Sequence, residues 1–437
     1  MKSFRTPLAL ALACAFGPVC AADLATLYRD ARVTDPVYQS ARSQYNATIE
    51  KLPQARAGYL PLIAASASVF HNDVRPQIAA EQNYTTKSYG VTLSQPVLRV
   101  QNWIAIDQAQ LQVLQAEQVL ASAVQDLALR VAQAYFDVLL AQDNVALSES
   151  QKSAISEQLN QAKRNFEVGT ATIVDTLDAQ ARYDQSVAKE ISDKNDLEVK
   201  RRALQVLLGK VPDGLTPLKE PLDLVPPKPN DIEAWVKAAS ESSYTIAVAR
   251  ANFEIARKEI DRQFAGHYPT VDLSASVGRA VAPQSAVPGV IGATSDATSV
   301  GLTLSVPLFS GGVTQSRVRE AVANRDRVEQ DLESTLRNVA QTVRANFLNV
   351  TSGIAQVRAL EQAVVSTQSQ LDSTILGRDV GVRTSVDVLN AQQQVYQTRR
   401  DLQQARYNYL LNTLRLKQAA GLLNDDDVDA VNRTLGR

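Results

Sequence analysis

Cysteine is almost missing from this 437-residue chain, and both copies, Cys14 and Cys20, sit near its start. Beyond residue 20 there is no thiol to form a disulfide, act as a nucleophile or ligate a metal. Methionine occurs only as Met1, and histidine only as His71, in a loop by its neighbours, and His267, beside a strand start. Acidic pairs such as Asp425-Asp426 lack a pocket context, and no phosphate loop or zinc spacing appears. With no catalytic constellation, neither an enzyme nor a cofactor or metal is expected. An excess of either charge is missing too: 45 Lys and Arg face 46 Asp and Glu, for a net charge of −1. No basic stripe stands out, so no nucleic acid is expected as a partner. After the N-terminus no run of about 18 consecutive apolar residues occurs, which excludes a spanning helix and leaves a closed β-barrel as the one way into a membrane.

The N-terminus reads as a secretory signal over residues 1–21. Lys2 and Arg5 form its charged start, residues 8–16 its apolar run, and Val19-Cys20-Ala21 or Cys20-Ala21-Ala22 its cleavage site. The apolar run is too short for an anchor. Gly17-Pro18-Val19 before Cys20 is a poor lipobox, so acylation is not expected.

Glycine and proline are nearly absent from residues 98–166, and helix is what remains. Leu120, Val124, Leu127, Val131, Ala134 and Val138 alternate spacings of four and three, a coiled-coil seam. In residues 314–376, Leu336, Val343, Val350, Val357, Val364 and Leu371 recur at every seventh position. At ~1.5 Å per residue a helix of roughly 65 residues is about 100 Å long, deeper than an ordinary domain.

Shorter elements surround these two. Residues 23–57 read as helix with a break at Asp35-Pro36. Ile63, Ala65, Ala67 and Val69 alternate with small or polar residues, as do Tyr89, Val91 and Leu93, giving two strands around a loop at residues 72–83 and closed by Pro96. Gly169 ends the long helix, and Thr172 or Thr170 caps the next, which runs to about Gly209. A proline-rich connector follows, then a short helix capped by Asp231. Residues 244–264 are helical. Val271, Leu273, Ala275 and Val277, then Val300, Leu302, Leu304 and Val306, alternate as a second strand pair around a loop at residues 280–298. A last long helix covers residues 386–421, and Asp425-Asp426-Asp427 opens either a short helix or a solvated acidic tail.

The halves are copies. Val168-Gly169-Thr170-Ala171-Thr172-Ile173-Val174-Asp175 aligns with Val380-Gly381-Val382-Arg383-Thr384-Ser385-Val386-Asp387, 212 residues later. The expected division is a signal at 1–21, a first repeat at 22–210, a connector at 211–243, a second repeat at 244–421 and a tail at 422–437. The fold class is mostly α with a small β part. Four strands cannot close a barrel, for which about eight is the practical minimum, so copies must pool theirs. The apolar face would meet outer-membrane lipid and the Gly/Ser/Thr face a wet lumen. Tyr59, Tyr268, Trp103 and Phe309 flank the strands, as interfacial anchors or as packing aromatics. The long helices would continue the lumen as a tube, whose function is passage.

Over nearly the whole mature chain the sequence resembles the TolC family of outer-membrane channel-tunnels, and three stretches carry the resemblance. These are residues 300–312 (Val-Gly-Leu-Thr-Leu-Ser-Val-Pro-Leu-Phe-Ser-Gly-Gly), the paired Val-Gly…Val-Asp turns, and Ala405-Arg406-Tyr407-Asn408-Tyr409-Leu410. The resemblance implies a homotrimer with a twelve-stranded barrel and a coiled-coil tunnel in the periplasm. It also implies a periplasmic adaptor, an inner-membrane pump of ABC or RND type, and a tip that opens like an iris for efflux or type I secretion. By position, Asp175 and Arg383 match one gate link and Gln158 another member. Asp387 matches a carboxylate ring narrowing the pore. Asn390 stands where some relatives carry a second acidic ring, Arg378 replaces an aromatic gate residue, and Ile375 replaces an acidic partner. The alternative for Asp175 and Asp387 is a helix N-cap. The rival function, a secreted or periplasmic coiled-coil scaffold or adhesin without a pore, accounts for the heptads and the signal. It leaves the duplicated strand pairs without a purpose.

Overall fold

A computed structural model of the protein describes residues 22–75, 82–212, 214–284 and 291–436. The expected signal, with Cys14 and Cys20, lies outside the described residues. The chain forms two compact units. One comprises Met1–Gln39, Ala123–Ala239 and Gln341–Arg437; the other comprises Ser40–Ser122 and Ser240–Ala340.

The elements follow their local signals. Asp23 caps α1 (Leu24–Thr34), accepting from the Thr26 amide at 2.9 Å. Asp35 ends that run, and α2 (Pro36–Ile49) and α3 (Lys51–Ala57) follow. After the strands β1 (Leu62–Val74) and β2 (Gln82–Leu98), α4 (Val100–Glu167) runs for 68 residues and α5 (Ile173–Leu208) for 36. Next come α6 (Ile232–Ser242) and α7 (Tyr244–Phe264), then β3 (Thr270–Gln284) and β4 (Ile291–Ser305). The second copies of the long helices, α8 (Val313–Asp379) and α9 (Ser385–Ala419), have 67 and 35 residues. The duplication is thus kept to within one residue in each helix. Asp425-Asp426-Asp427 does open a helix, α10 (Asp425–Asn432), capped by Asn424.

In the first unit the seam residues are the core. Leu127, Val131 and Val138 of α4 are buried, as are Val343, Val350 and Val357 of α8. Tyr135 and Phe136 meet edge to face with ring centroids 5.7 Å apart, and Phe136 lies 5.7 Å from the ring of Tyr407. Each buried aromatic here carries about 3–5 kcal/mol, judged by truncation to alanine. The Tyr135 hydroxyl donates to the carbonyl of Thr216 at 2.7 Å, tying the connector to α4. Against this core α1 packs on α5 and α10.

The second unit holds one antiparallel sheet in the order β1-β2-β3-β4. Its register lines the side chains into rows that cross all four strands. One face carries Ile63, Leu93, Ala275 and Val300 in one row and Ala65, Val91, Val277 and Thr298 in the next. The other face carries Ala64, Thr92, Ser276 and Ser299, then Ser66, Gly90, Gly278 and Ala297. The period-two reading of both faces is therefore right. A Cβ on Gly90 would lie 2.9 Å from the Val277 carbonyl oxygen, so this small-residue row also sets how closely β2 and β3 approach. Arg99 and Asp272 join the root of α4 to β3 at 2.9 Å.

The strands are longer than composition suggests. Much of residues 72–83 and 280–298, expected as loops, is paired strand; residues 76–81 and 285–290 lie outside the described residues. His71 accordingly sits in β1 opposite Thr85, not in a loop, and His267 falls in a single 3-10 turn. Ladder bonds to a neighbour hold a strand whether its side chains are apolar or polar, so the polar outer ends escaped an apolar pattern. Pro96 does not close the pair. It lies inside β2 at a register shift between Pro96 and Leu98, where a bulge tolerates a missing donor.

Candidate functional site

The paired turns that close the two long helical hairpins have the same backbone. In the first, the amides of Thr170 and Ala171 both donate to the Asn165 carbonyl; in the second, those of Val382 and Arg383 both donate to Gly377. Gly169 and Gly381 take φ of +78° and +79°, the left-handed region that glycine enters without strain. Thr172 and Thr384 then cap α5 and α9, and Thr172, not Thr170, is the cap.

Asp175 and Asp387 complete these caps. Asp175 accepts from the Thr172 amide at 2.9 Å and its hydroxyl at 2.7 Å; Asp387 accepts from the Thr384 amide and hydroxyl, both at 2.9 Å. The Thr172 hydroxyl and amide hold the Asp175 carboxyl below its ordinary range. For Asp387 the Thr384 amide does so first, then the hydroxyl, with the charge of Arg383 adding to them. Both groups therefore stay anionic at neutral pH. Each carboxylate is the third residue of a capping box whose N-cap is a threonine, so neither is itself the N-cap, and among the described residues no ion pair joins Asp175 to Arg383 within the chain.

Arg383 instead lays its stem over Gly377, where a Cβ would come within 2.8 Å of the Arg383 Cγ. Gln158, Asp175 and Arg378 do come together, lining a hollow of about 40 Å³ with Val388 and Leu389. Arg378 pairs with Asp379 at 2.7 Å and reaches Gln161 at 3.5 Å. The Gln158 side-chain oxygen is buried there with no partner among the described residues. Ile375 packs against the cluster of Leu371, Val388, Ala391 and Val395.

Asn390, at the position of the second acidic ring in some relatives, has a partner within the chain. Arg182 of α5 forks onto α9, donating to the side-chain Oδ1 of Asn390 at 2.9 Å and to the Oε1 of Gln393 at 2.7 Å. Further along, Arg400 of α9 reaches the buried carboxylate of Asp193 on α5 at 3.3 Å. These ties between the two halves were missed from sequence. A signal existed: the partners are 208, 211 and 207 residues apart, close to the repeat length, so they stand level when the two tips stand level.

The aromatics at the sheet's root divide. Tyr59 and Trp103 stack at 5.8 Å and Tyr268 meets Phe264 edge on at 5.9 Å, whereas Phe309 is 89% exposed.

Two duplicated strand pairs with one apolar and one small-residue face, rooted on long paired helices, define an outer-membrane channel protein. The chain belongs to the outer membrane efflux protein family, whose model matches residues 27–210 and 235–422. It is 34% identical to outer membrane protein TolC of Vibrio cholerae over 417 residues, covering 95% of this chain and 94% of that one. It is 30% identical to the alkaline protease secretion protein AprF of Pseudomonas aeruginosa, covering 92% and 85%. In fold it is similar to the crystal structure of VceC from Vibrio cholerae, with a TM-score of 0.77, 20% identity and coverage of 91% and 96%. CusC gives a TM-score of 0.79 at 18% identity, covering 91% and 92%. The protein is an outer-membrane exit duct of the efflux and type I secretion kind, with its helical part in the periplasm. Its relatives are channels, not enzymes, and the scaffold alternative finds no support.

Proposed function

We propose that three copies of this chain close one twelve-stranded barrel and one helical tunnel. One observation carries this reading: among the described residues the four-stranded sheet has two open edges, β1 and β4, and its lower rows present an apolar face. Edges left unpaired in hydrocarbon cost several kcal/mol per polar group, and neighbouring copies supply the missing strands. The signal directs export and is removed, and the two repeats, the connector and the tail, with the bounds given above, are the working parts of that assembly. A periplasmic adaptor and an inner-membrane pump of ABC or RND type complete it, and the pump selects the cargo.

The hairpin tips act as an iris. Asp387 of each copy forms a carboxylate ring near the threefold axis, and Asn390 lines the next turn. Arg383, Asp175, Gln158 and Arg378 form the links that hold the tips together, with partners supplied by the adjacent copy. The oxygen of Gln158, buried without a partner among the described residues, supports this role. An exposed link is worth only ~0–1 kcal/mol, so opening requires several to break together.

Planar-bilayer recording tests the assignment. Arg383→Ser is expected to raise single-channel conductance, and Asp387→Ala to weaken block by multivalent cations. Native values for both would remove these residues from the gate. A heat-modifiable band of three times the chain mass tests the trimer, and a stable detergent-free monomer would overturn it.

A further inference from the structure

The apolar face of the sheet gives way to two consecutive rows that carry charge. Beyond the row of Ala65, Val91, Val277 and Thr298, the register places Ala67, Tyr89, Arg279 and Asp296 side by side on the same face. The next row on that face holds Val69, Lys87, Val281 and Thr294. Arg279 forks onto Asp296 through Nε and Nη2, which leaves Nη1 outside the fork. Lys87 is exposed and has no side-chain partner among the described residues. Lys87 and Arg279 sit on adjacent strands, one step along and one across, a diagonal pair about 7–8 Å apart at the backbone. Two long cationic side chains from such positions can close on one anion.

The height of these rows identifies the anion. The row of Val271 and Leu304 at the foot of the sheet lies eight residues below that of Arg279 and Asp296. Eight residues are about 27 Å of strand, or about 20 Å along the axis of a barrel whose strands tilt by about 40°. An outward apolar band about 25 Å tall is what an outer-membrane barrel presents to hydrocarbon. The row of Lys87, ten residues above the foot, stands at about 26 Å, so the two charged rows bracket the height where the hydrocarbon ends, and Tyr89 suits that level. Because α4 leaves from the foot of β2, this end is the one away from the periplasm.

We propose that Lys87 and Arg279 form a headgroup site on the outside of the barrel, which holds the phosphate of an anionic lipid in the outer leaflet. The site rests on the duct reading above, since these rows face lipid only in a closed barrel. Asp296 keeps Arg279 extended along the surface and limits the site's net charge to one cation. Its removal therefore strengthens the site, whereas loss of Lys87 weakens it.

The test uses the full chain reconstituted in phosphatidylcholine vesicles carrying spin-labelled phosphatidylglycerol or spin-labelled phosphatidylcholine. The lipid in contact with protein is read from the motionally restricted part of the spectrum. The native chain is expected to prefer phosphatidylglycerol about two- to fivefold, the range one basic residue near a membrane surface supports. Lys87→Gln should bring the ratio close to one, and Asp296→Asn should raise it above native. A merely structural role would move both variants the same way. Equal partition of the two labels around the native chain overturns the site, as does a preference that Lys87→Gln leaves unchanged or that added inorganic phosphate abolishes. Conductance recorded from the same preparation separates the causes: a conducting channel without lipid preference sinks only the headgroup site, and a native chain that never conducts sinks the duct reading with it.

Discussion

Arg130 of α4 grips Asp35 with both ends of its guanidinium, Nη1 to Oδ1 at 3.2 Å and Nη2 to Oδ2 at 2.9 Å. The Asp35 side chain is only 2% exposed, and its Oδ2 also accepts from the Tyr38 amide at 2.8 Å. One carboxylate thus ends α1, starts α2 and ties both to α4. Arg130→Ala leaves that charge buried without its partner, at a cost of about 3 kcal/mol. Thermal unfolding followed by far-ultraviolet circular dichroism should show a lower midpoint. Burial raises the Asp35 pKa, but the bonds from Arg130 and the Tyr38 amide outweigh it, and the net direction is below 3.8. Its contribution is therefore fully present above pH 3.8 and is lost as pH falls through the depressed value. The native and mutant midpoints should converge in that acid range.

Tyr407 and Asp143 make the opposite case. The Tyr407 hydroxyl donates to Asp143 Oδ2 at 2.7 Å. Burial pushes the Asp143 carboxyl above its ordinary range despite this bond. A folded pKa above the unfolded one means that stability is greatest below the unfolded value and declines as pH rises through the folded one. Tyr407→Phe removes the donor that favours the anion, so it should cost about 2 kcal/mol at pH 7 and less towards pH 4. A loss independent of pH in the same unfolding assay would show that the ring, not the hydrogen bond, carries the effect.

Arg182 is the clearest tie between the α5 and α9 ends of the two repeats. Arg182→Gln should leave the unfolding midpoint within about 1 kcal/mol of native, because the fork is exposed. Single-channel conductance should rise, since α9 then loses two of its bonds to α5. Gly377→Ala should raise it as well, by pushing Arg383 off the turn that now supports it. Closed-state conductance equal to native in both variants would place these contacts outside the gate.

Gly90→Val tests the sheet. A side chain there meets the Val277 carbonyl at under 3 Å, and backbone cannot yield as a flexible side chain can. The expected result is loss of the heat-modifiable oligomer with the helical circular dichroism signal retained, because the damage is confined to the strands.

How much of this was legible in the residues depended on whether a signal was local. The helices were, since Gly169, Thr172 and Thr384 mark their ends within a few positions and the heptads fix their buried sides. The duplication was legible because it is written twice. The strand ends were not, because His71, Arg279 and Asp296 are held by ladders to a partner strand and no apolar alternation announces them. At the tips, sequence likeness pointed to Asp175 and Arg383 as one link, while within a chain each serves its own turn. The Arg182 fork joins residues two hundred positions apart, and only the fold says which helix faces which.

The two turns share a backbone, but their occupants differ: Ala171 in the first is replaced by Arg383 in the second. The doubled turn has diverged at three of its eight aligned positions, 170/382, 171/383 and 173/385, and only the second of these introduces a charge. Each chain therefore carries one turn with a methyl group at this position and one with the Arg383 guanidinium. Two turns of one backbone thus present unlike surfaces: the doubled gene product has kept the shape and let the charge diverge.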